Sequence, residues 1–358
     1  MNPEFSVLIT PLDWGLGHAT RCIPVITEFL KRGCKVSIAT TGGALDLLKK
    51  EVPQLTFFEL VSYKAEYATD DQLLVKLFFQ SLKFMAAIRK EHRQLKKIVG
   101  EHRFDLIVSD NRFGCYSKNV RSIFVTHQIN FVFKPSMQWA EGMFNYWNQQ
   151  KIKKFDHCWI PDLPDQKFSG ELSTPKGLPV SFIGILSRFK KRSGVLDKKY
   201  DLLALISGPE PQRSIFEKII RDQSVNLNKR ILLVKGKPEE GEIISIEGLI
   251  SEVGHLKADE LQEAIEASEF IICRSGYSSI MDLAMMRTNN IIFVPTPGQP
   301  EQEYLAKKMQ AMNWAYAIDQ DKLDIIRAIN ESKNYIVLEV DESNNVLLSK
   351  AIEAELNP

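Results

Sequence analysis

The stretch "FIICRSGYSSIMDL", residues 270–283, indicates how the half of the chain around it folds. The apolar run at 270–272 is typical of a buried strand, and the residues that follow Gly276 have helical spacing. Between strand and helix stand a basic residue, Arg274, and Gly276 itself, which frees the backbone for a turn. A strand, a glycine turn and a helix in this order form half of a βαβ unit, so the stretch predicts a parallel α/β sheet.

Short β-branched runs alternate with helical patterns along the whole chain. We predict strands at 5–10, 35–40, 104–110, 121–126, 156–161, 200–207, 230–236, 269–275 and 290–296. Helical patterns lie between them, and the longest, at about 70–99, has apolar residues at a period near 3.6. The expected fold class is α/β, with two Rossmann-like, doubly wound domains that face a cleft. Ligands in such sheets bind beyond the carboxyl ends of the strands.

The alternation pauses at 162–199, which is rich in proline and glycine and includes the basic run "RFKKR" at 188–192. Such a segment is typical of an interdomain connection. We therefore expect an N-terminal domain at 1–185, a linker at 186–199 and a C-terminal domain at 200–342. A final helix at 343–358 is a candidate to pack back on the N-terminal domain.

Composition excludes several classes of protein. The chain has 358 residues and a formal net charge of +1, so wholesale nucleic-acid binding is not expected. Its five cysteines are scattered and never spaced as C-x-x-C, which argues against a disulfide framework or a zinc site. The N-terminus has no signal-peptide pattern, and no apolar run is long enough to span a bilayer. These features predict a cytoplasmic protein.

The loop "PLDWGLGHATR", 11–21, follows the first predicted strand and leads into a helix. A dinucleotide site would need a third glycine, where Thr20 stands, and an acidic end to the second strand, so NAD is disfavoured. His18, at the start of the helix, is either a general base or substrate contact, or a residue that merely caps the helix.

Asp110 and His127 lie at the ends of other predicted strands and could orient a base or bind acceptor hydroxyls, or serve in simple loop and cap roles. His18 is our first candidate for the catalytic base and Asp110 the second. Gly17, Arg21 and His127 are the candidate acceptor contacts.

Three strand-end turns in the second half suit a nucleotide diphosphate. A helix that starts near Gly276 offers N–H groups to phosphate, and Asp282, one turn further on, could hold a ribose diol. The turns "ISGPEPQR" (206–213) and "PTPGQPEQE" (295–303) add a phosphate-binding arginine and sugar-binding amides and carboxylates. The candidate donor contacts are Gly208, Arg213, Arg274, Ser275, Gly276, Ser278, Ser279, Asp282, Gln299, Gln302 and Glu303.

These motifs resemble those of glycosyltransferases of the B fold (GT-B). The nearest family is that of the lipid II-forming, peptidoglycan N-acetylglucosaminyltransferase and the plant galactolipid synthases. That family combines a G-x-G-H loop, here 15–18, with a "CRSG" turn, here 273–276, that an acidic residue follows. By the order of motifs the resemblance covers nearly the whole chain. The family usually has glutamate where Asp282 stands, and a glutamine pair where this chain has Gln302 and Glu303.

The resemblance implies a UDP-sugar donor bound mainly by the C-terminal domain and a hydroxyl acceptor bound by the N-terminal one. It also implies direct displacement with inversion, in which positive groups and helix N–H groups take the place of a metal. No cofactor is implied. The nucleobase would be read by the loop "GHLKADE" (254–260), which makes Leu256 a further candidate donor contact.

The motif Asp319-Gln320-Asp321 has the D-x-D spacing that another glycosyltransferase fold uses for manganese. It lies between a strand-like and a helix-like segment, where acidic residues commonly cap a helix. We interpret it as a cap and predict no metal site.

Residues 131–155 are dense in aromatic side chains and end in lysines, which suits a surface that meets anionic lipid. A core-packed helix with a solvated basic end would give the same pattern. The acceptor could therefore be a lipid-linked or cell-envelope glycan or a small molecule, with the protein peripheral at the inner face of the membrane.

Two other functions remain open from the sequence. A UDP-sugar 2-epimerase shares the fold, but its "DSGG" turn is absent, and "CRSGYSSIMD" stands in its place. A non-catalytic nucleotide-sugar binding protein would not need His18 and Asp110.

Overall fold

The structure is a computed structural model, and it describes residues 4–63, 73–133, 135, 138–189, 197–237, 245–340 and 344–357. The chain divides into two units. The first contains the described residues up to Ser187 together with the C-terminal helix, and the second runs from Arg188 to Val340. Of the linker expected at 186–199, residues 190–196 lie outside the described residues.

The first unit is built on one seven-stranded sheet. Its strands are β1 (Ser6–Pro11), β2 (Lys35–Thr40), β3 (Thr56–Glu59), β4 (Leu106–Asp110), β5 (Arg121–Val125), β6 (His157–Ile160) and β7 (Val180–Phe182). Its helices are α1 (Gly17–Lys31), α2 (Gly42–Glu51), α3 (Leu73–Glu101), α4 (Gln138–Ile152) and, from the end of the chain, α10 (Asn344–Leu356). Every position of β1 and β4 is buried, as their apolar sequences require of central parallel strands.

The strand order in the first sheet is β3-β2-β1-β4-β5-β6-β7, and all neighbours are parallel. The order reverses between β1 and β4, and such a switch point leaves a crevice at the carboxyl ends of the strands. Pro11, the last residue of β1, pairs with Asp110, the last residue of β4. The loop that carries His18 therefore starts beside Asp110.

The helix α10 packs against α1 and β7. Arg121, at the start of β5, donates from Nε to Oε2 of Glu355 and from NH2 to Oε1 at 3.0 Å. Arg32, which follows α1, donates to the carboxylate of Glu353 at 3.2 Å. The end of the chain is thus tied to the first sheet by two ion pairs.

The second unit is also one seven-stranded sheet. Its strands are β8 (Tyr200–Leu205), β9 (Ile231–Val234), β10 (Ser245–Glu247), β11 (Ile250–Val253), β12 (Ser268–Cys273), β13 (Ile291–Phe293) and β14 (Ala315–Ala317). Its helices are α5 (Gln212–Ser224), α6 (Ala258–Glu266), α7 (Tyr277–Met285), α8 (Pro300–Ala311) and α9 (Ile325–Ser332). The order is β10-β11-β9-β8-β12-β13-β14, with only β10 antiparallel to its neighbour. A buried cluster that includes Leu202, Phe216 and Phe270 joins the sheet to α5 and α9.

The expected fold class is confirmed, because both units are parallel sheets with interleaved helices. Each predicted strand overlaps an observed one, and β14 lies in the strand-like segment before the D-x-D motif, whereas β3, β7, β10 and β11 were missed. These four strands have only three or four residues each. Among the described helices, none is both long and apolar enough to cross a membrane.

Candidate active site

The loop after β1 brings His18 to the edge of the first sheet. Gly15 has φ of +70°, a left-handed conformation that glycine adopts without strain. The helix α1 begins at Gly17 without a side-chain cap. His18 is 16% exposed, and its imidazole turns to Asp110. The interpretation of His18 as a mere helix cap is therefore wrong.

Four side chains form what we call the His18 cluster: His18 and Arg21 of α1, Asp110 of β4, and His127, which follows β5. Nδ1 of His18 lies 3.1 Å from Oδ1 of Asp110. Arg21 donates from Nε to Oδ2 of Asp110 at 2.7 Å, and from NH2 to Oδ1. Asp110 has no exposed surface, so its charge is balanced inside the protein by a bidentate guanidinium.

Arg21 and His127 are placed differently from the acceptor contacts expected from the sequence. They are only 2% and 5% exposed. NH1 of Arg21 lies 3.2 Å from Nδ1 of His127, and its NH2 lies 2.9 Å from Nδ1 of His18. The guanidinium thus faces other members of the cluster in the interior. Gly17 remains half-buried at the first position of α1.

The electrostatics of the cluster favour an uncharged imidazole. Burial lowers the pKa of His18 below its usual value, and the charge of Arg21 lowers it further, while Asp110 acts in the opposite direction. Burial alone would raise the pKa of Asp110, but the charge and hydrogen bonds of Arg21 and His18 hold it well below the usual range. At neutral pH the cluster thus contains a neutral imidazole, which can accept a proton, and an ionised carboxylate.

Arg112 and Glu91, which the sequence analysis missed, form a second buried group that contacts the loop after β1. Arg112 donates from Nε to the backbone oxygen of Pro11 at 2.8 Å and from NH2 to Asp13 at 3.0 Å. Its NH1 donates to Glu91 of α3 at 2.7 Å, and the backbone N–H of Gly114 donates to the same carboxylate at 2.8 Å. Arg112 and Glu91 have no exposed surface. A charged residue just after a buried strand, in "VSDNRFG", was the available signal.

In the second unit, the turn at 273–276 joins β12 to α7. The buried hydroxyl of Ser275 donates to the backbone oxygen of Gln302 at 2.7 Å, so it links this turn to α8. Gly276 is the N-cap residue of α7. Ser278, Ser279 and Asp282 are half-buried on the first turns of α7. Ser278 and Asp282 share one face of the helix because they are four residues apart.

Arg274, a candidate donor contact from the sequence, is held by other parts of the protein. It is 1% exposed, and its NH1 donates to the backbone oxygens of Val294 and Pro295 at 3.1 and 3.2 Å. Its NH2 donates to the backbone oxygen of Gln212 at 3.0 Å and to the side chain of Gln320 at 2.6 Å. Burial lowers the pKa of this guanidinium to about 10. The four terminal N–H groups all serve protein acceptors, so Arg274 joins the strand-end loops to one another.

Gly208 and Arg213 lie at the next strand end. Gly208 has φ of +109°, and a Cβ at this position would lie 3.6 Å from Oγ1 of Thr296. That hydroxyl is buried and has no hydrogen-bond partner among the described residues. Arg213 donates to Glu210 at 2.9 Å and to the backbone oxygen of Gly236 at 3.3 Å. A phosphate would therefore have to compete with Glu210 for Arg213.

The loop after β13 is shaped by its own side chains. Gln302 accepts from the backbone N–H of Thr296 at 2.9 Å and donates to Gln299 at 2.6 Å. Glu303 accepts from the backbone N–H of Gly298 at 3.3 Å. These three side chains already make contacts that a bound sugar would have to share. Leu256 is half-buried in the loop between β11 and α6.

Asp319 of the D-x-D motif is the N-cap residue of a short 3-10 helix, Gln320–Lys322, but its side chain makes no capping hydrogen bond. Asp319 accepts from Lys322 at 2.8 Å, whereas the next helix, α9, is capped by Asp324, which accepts from the N–H of Arg327 at 3.0 Å. Within the described ranges, no three His, Cys, Asp or Glu side chains come together as a metal site.

Two Rossmann-like sheets with polar residues at the carboxyl ends of their strands are the architecture of GT-B glycosyltransferases. Residues 218–351 match the family model described as glycosyltransferase family 28 C-terminal domain. Residues 12–127 match the model described as glycosyl transferase family 1. The chain is therefore a glycosyltransferase of the GT-B class, whose general reaction is transfer of a sugar from a nucleotide sugar.

Solved structures support the fold over the whole chain. The glycotransferase of kitacinnamycin is 16% identical, with a TM-score of 0.64, and the match covers 99% of this chain and 95% of that one. MurG of Acinetobacter baumannii is 13% identical, with a TM-score of 0.56 and coverage of 99% and 95%. UGT89C1 of Arabidopsis thaliana, solved with UDP-L-rhamnose, is 13% identical, with a TM-score of 0.60 and coverage of 99% and 94%. None of the curated proteins compared with the sequence matches it.

Proposed function

We propose that the protein is an inverting, metal-independent glycosyltransferase that moves a sugar from a UDP-sugar to a hydroxyl of a lipid-linked acceptor. The first unit binds the acceptor and the second unit binds the donor. His18 is the catalytic base, Asp110 orients it, and no cofactor takes part.

The observation that carries this proposal is the pairing of a partly exposed, uncharged imidazole with a buried carboxylate at the switch point of the first sheet. Nδ1 of His18 faces Asp110, so Nε2 is the nitrogen left to meet an acceptor hydroxyl. A base with a pKa below neutrality is present in its proton-accepting form at physiological pH.

The reaction needs one base and one leaving-group site. His18 takes the proton of the acceptor hydroxyl while that oxygen forms a bond to the anomeric carbon. The bond from the anomeric carbon to the diphosphate oxygen breaks, and UDP leaves from the opposite face, which inverts the configuration. A single displacement of this kind requires no second carboxylate nucleophile.

The second unit supplies polar groups for the leaving diphosphate. The start of α7 at Gly276 and the start of α5 near Gly208 each direct backbone N–H groups to a strand end, where negative charge is favoured. The hydroxyl of Thr296, for which the described part of the chain supplies no hydrogen-bond partner, lies next to Gly208. Asp282 is the proposed ribose contact. UDP is the proposed nucleotide because of the family resemblance and because UGT89C1 was solved with UDP-L-rhamnose.

Donor binding is tested by a thermal-shift screen of UDP, UDP-glucose, UDP-galactose and UDP-N-acetylglucosamine, with NAD as the negative control. A ligand at 100 times its dissociation constant adds about 2.7 kcal/mol of apparent stability. We expect a shift with UDP compounds and none with NAD. A response to NAD alone would contradict the proposal.

Turnover is tested by UDP release from the responding UDP-sugar in the presence of a polar lipid extract. We expect His18→Ala to lower the rate of release about 10²- to 10⁴-fold and to keep the donor-induced thermal shift. The matched control is His102→Ala, since His102 is an exposed histidine of the same unit. An isomerised donor formed without any acceptor would indicate an epimerase instead. Full turnover by His18→Ala would remove His18 from the mechanism.

We also propose that α4 meets a membrane surface that holds the acceptor. Trp139, Met143 and Tyr146 are 70%, 62% and 66% exposed. Their spacing places them on one face of the helix, and large exposed apolar side chains grouped in this way are typical of interfacial helices. Lys153 and Lys154 follow the helix and are exposed.

The charges around this face suit an anionic surface. Burial and the charges of Lys154 and Arg89 lower the pKa of Lys151, which means that these basic side chains lie within reach of one another. Each basic residue near an anionic bilayer contributes about 1 kcal/mol, so three lysines correspond to roughly 100-fold in affinity.

The membrane proposal is tested by flotation with vesicles of phosphatidylcholine alone or with phosphatidylglycerol added. We expect binding to the mixed vesicles and its loss in Trp139→Ser/Tyr146→Ser. The control is Ile326→Ser, which removes a side chain of α9 that is 61% exposed. Equal flotation of the α4 double variant and the wild type would contradict the proposal.

A further inference from the structure

Arg21 lies within hydrogen-bond distance of each other member of the His18 cluster. It is one helical turn after His18 and is 2% exposed. An arginine side chain only donates hydrogen bonds, an ionised carboxylate only accepts them, and a histidine nitrogen does either according to where its proton sits. The position of Arg21 therefore limits the forms that His18 can take.

Two groups compete for Nδ1 of His18. Asp110 Oδ1, at 3.1 Å, can only accept a hydrogen bond from this nitrogen. NH2 of Arg21, at 2.9 Å, can only donate one to it. A neutral ring bonds to Asp110 when its proton is on Nδ1, the tautomer that leaves Nε2 as the base, and to Arg21 when its proton is on Nε2. A charged imidazolium carries protons on both nitrogens, so it loses the bond from Arg21 and faces a second positive charge at close range.

Arg21 also occupies the carboxylate that would otherwise stabilise a charged His18. Its Nε and NH2 reach both oxygens of Asp110. An aspartate near a histidine normally favours the protonated, charged imidazole by attraction between opposite charges. In this cluster the attraction is largely cancelled, because the aspartate is already paired with the guanidinium.

We propose that Arg21 is a positioning residue that keeps His18 uncharged, and that it is not a contact for the acceptor. The inference rests on the proposed role of His18 as the base. The charged and titratable groups that face His18 are Arg21 from α1, Asp110 from β4 and His127 from the segment after β5. Arg21 lies within hydrogen-bond distance of both of the others, so its charge acts on the imidazole directly and through its contacts with them.

The test is an NMR titration of His18 in protein with isotope-labelled histidine. The chain has six histidines, and His18→Ala assigns the signal. In the wild type we expect His18 to titrate below about 6.5, the value of a free histidine. In Arg21→Gln, which lacks the positive charge, the midpoint should rise by about one unit or more because Asp110 then faces His18 alone. Arg21→Lys, which keeps the charge, should stay near the wild type.

The control is Arg32→Gln, which removes a guanidinium that follows the same helix but bonds to Glu28 and Glu353. It should leave the midpoint of His18 unchanged. A purely structural role of Arg21 would lower the melting temperature of Arg21→Gln without moving the midpoint, and this result would overturn the inference. If Arg21→Gln does not fold, a wild-type midpoint above about 6.5 would overturn it as well.

The titration needs neither donor nor acceptor, so it separates this inference from the proposed function. Absence of UDP-sugar binding or turnover, together with the expected midpoints, would refute the function and leave the role of Arg21 intact. Turnover that depends on His18, together with an unchanged titration midpoint of His18 in Arg21→Gln, would refute the role of Arg21 and leave the proposed function intact.

Discussion

Arg112→Met tests the buried ion pair between Arg112 and Glu91, whose arginine contacts the loop that leads to His18. Methionine fills much of the same space but removes the guanidinium, and the Glu91 carboxylate remains in the interior with bonds from Gly114 and Tyr63. Both partners of the pair are fully buried, and loss of one partner of such a pair typically costs about 3–5 kcal/mol. We expect the free energy of unfolding of the first unit to fall by about that amount.

Two comparisons sharpen this prediction. Arg112→Met/Glu91→Leu removes both charges, and because uncharged replacements avoid the penalty of an unpaired ion, it should be about 1–3 kcal/mol more stable than Arg112→Met. Burial raises the pKa of Glu91, and Arg112 opposes that rise. Without Arg112 the pKa of Glu91 in the folded protein should rise further above its value of about 4.3 in the unfolded chain. Stability of the variant is then retained at a pH below the unfolded-state pKa, and it is lost as the pH increases through the folded-state pKa.

The assay is urea denaturation of the intact chain followed by circular dichroism, at about pH 5 and about pH 8. Arg112→Met should lie closer to the wild type at the lower pH. A loss below about 0.5 kcal/mol at the higher pH would refute the reasoning, since surface changes without a buried partner have effects of that size. The reasoning would also be refuted if Arg112→Met/Glu91→Leu were no more stable than Arg112→Met.

Three further predictions concern single positions. His18→Ala should lower turnover about 10²- to 10⁴-fold, measured as UDP release at saturating donor. Gly208→Ala places a side chain at φ of +109° and should cost about 1–3 kcal/mol, seen in the melting temperature, whereas Gly100→Ala, with open space at its Cβ, should not destabilise α3. Glu355→Gln weakens a pair whose arginine is 45% exposed, so it should cost at most about 1 kcal/mol but should speed release of α10 in limited proteolysis.

Much of the fold could be predicted because buried parallel strands have continuous apolar sequences. The runs that became β1, β4, β8 and β12 are of this kind, and each predicted strand overlaps an observed one. The strand β11 has only four residues, "ISEV", with two polar residues between two apolar ones, so its sequence shows no strand period. The edge strand β3 is half-exposed and equally short, so its sequence carries little signal.

The candidate site was harder to predict because residue type does not fix the direction of a side chain. The sequence indicated that His18 and Asp110 lie at strand ends and made each a candidate base, but only the structure shows that β1 and β4 are neighbours and that the two side chains meet. Arg21 and Arg274 were expected to face a ligand, yet both are buried against carboxylate, amide or backbone oxygens. Arginine has enough donors to join several loops at once, and only the tertiary structure reveals which acceptors it meets.

The return of α10 to the first sheet makes the first unit discontinuous in sequence and the second unit an insertion within it. Exchange of the second unit, which we propose binds the donor, between related enzymes would therefore need two junctions, one near Ser187 and one near Val340. A chimera joined only at the first junction would replace Glu355 and Glu353 and leave Arg121 and Arg32 without their carboxylates. Under the proposed assignment of the donor site, a change of donor preference requires replacement of the internal segment Arg188–Val340.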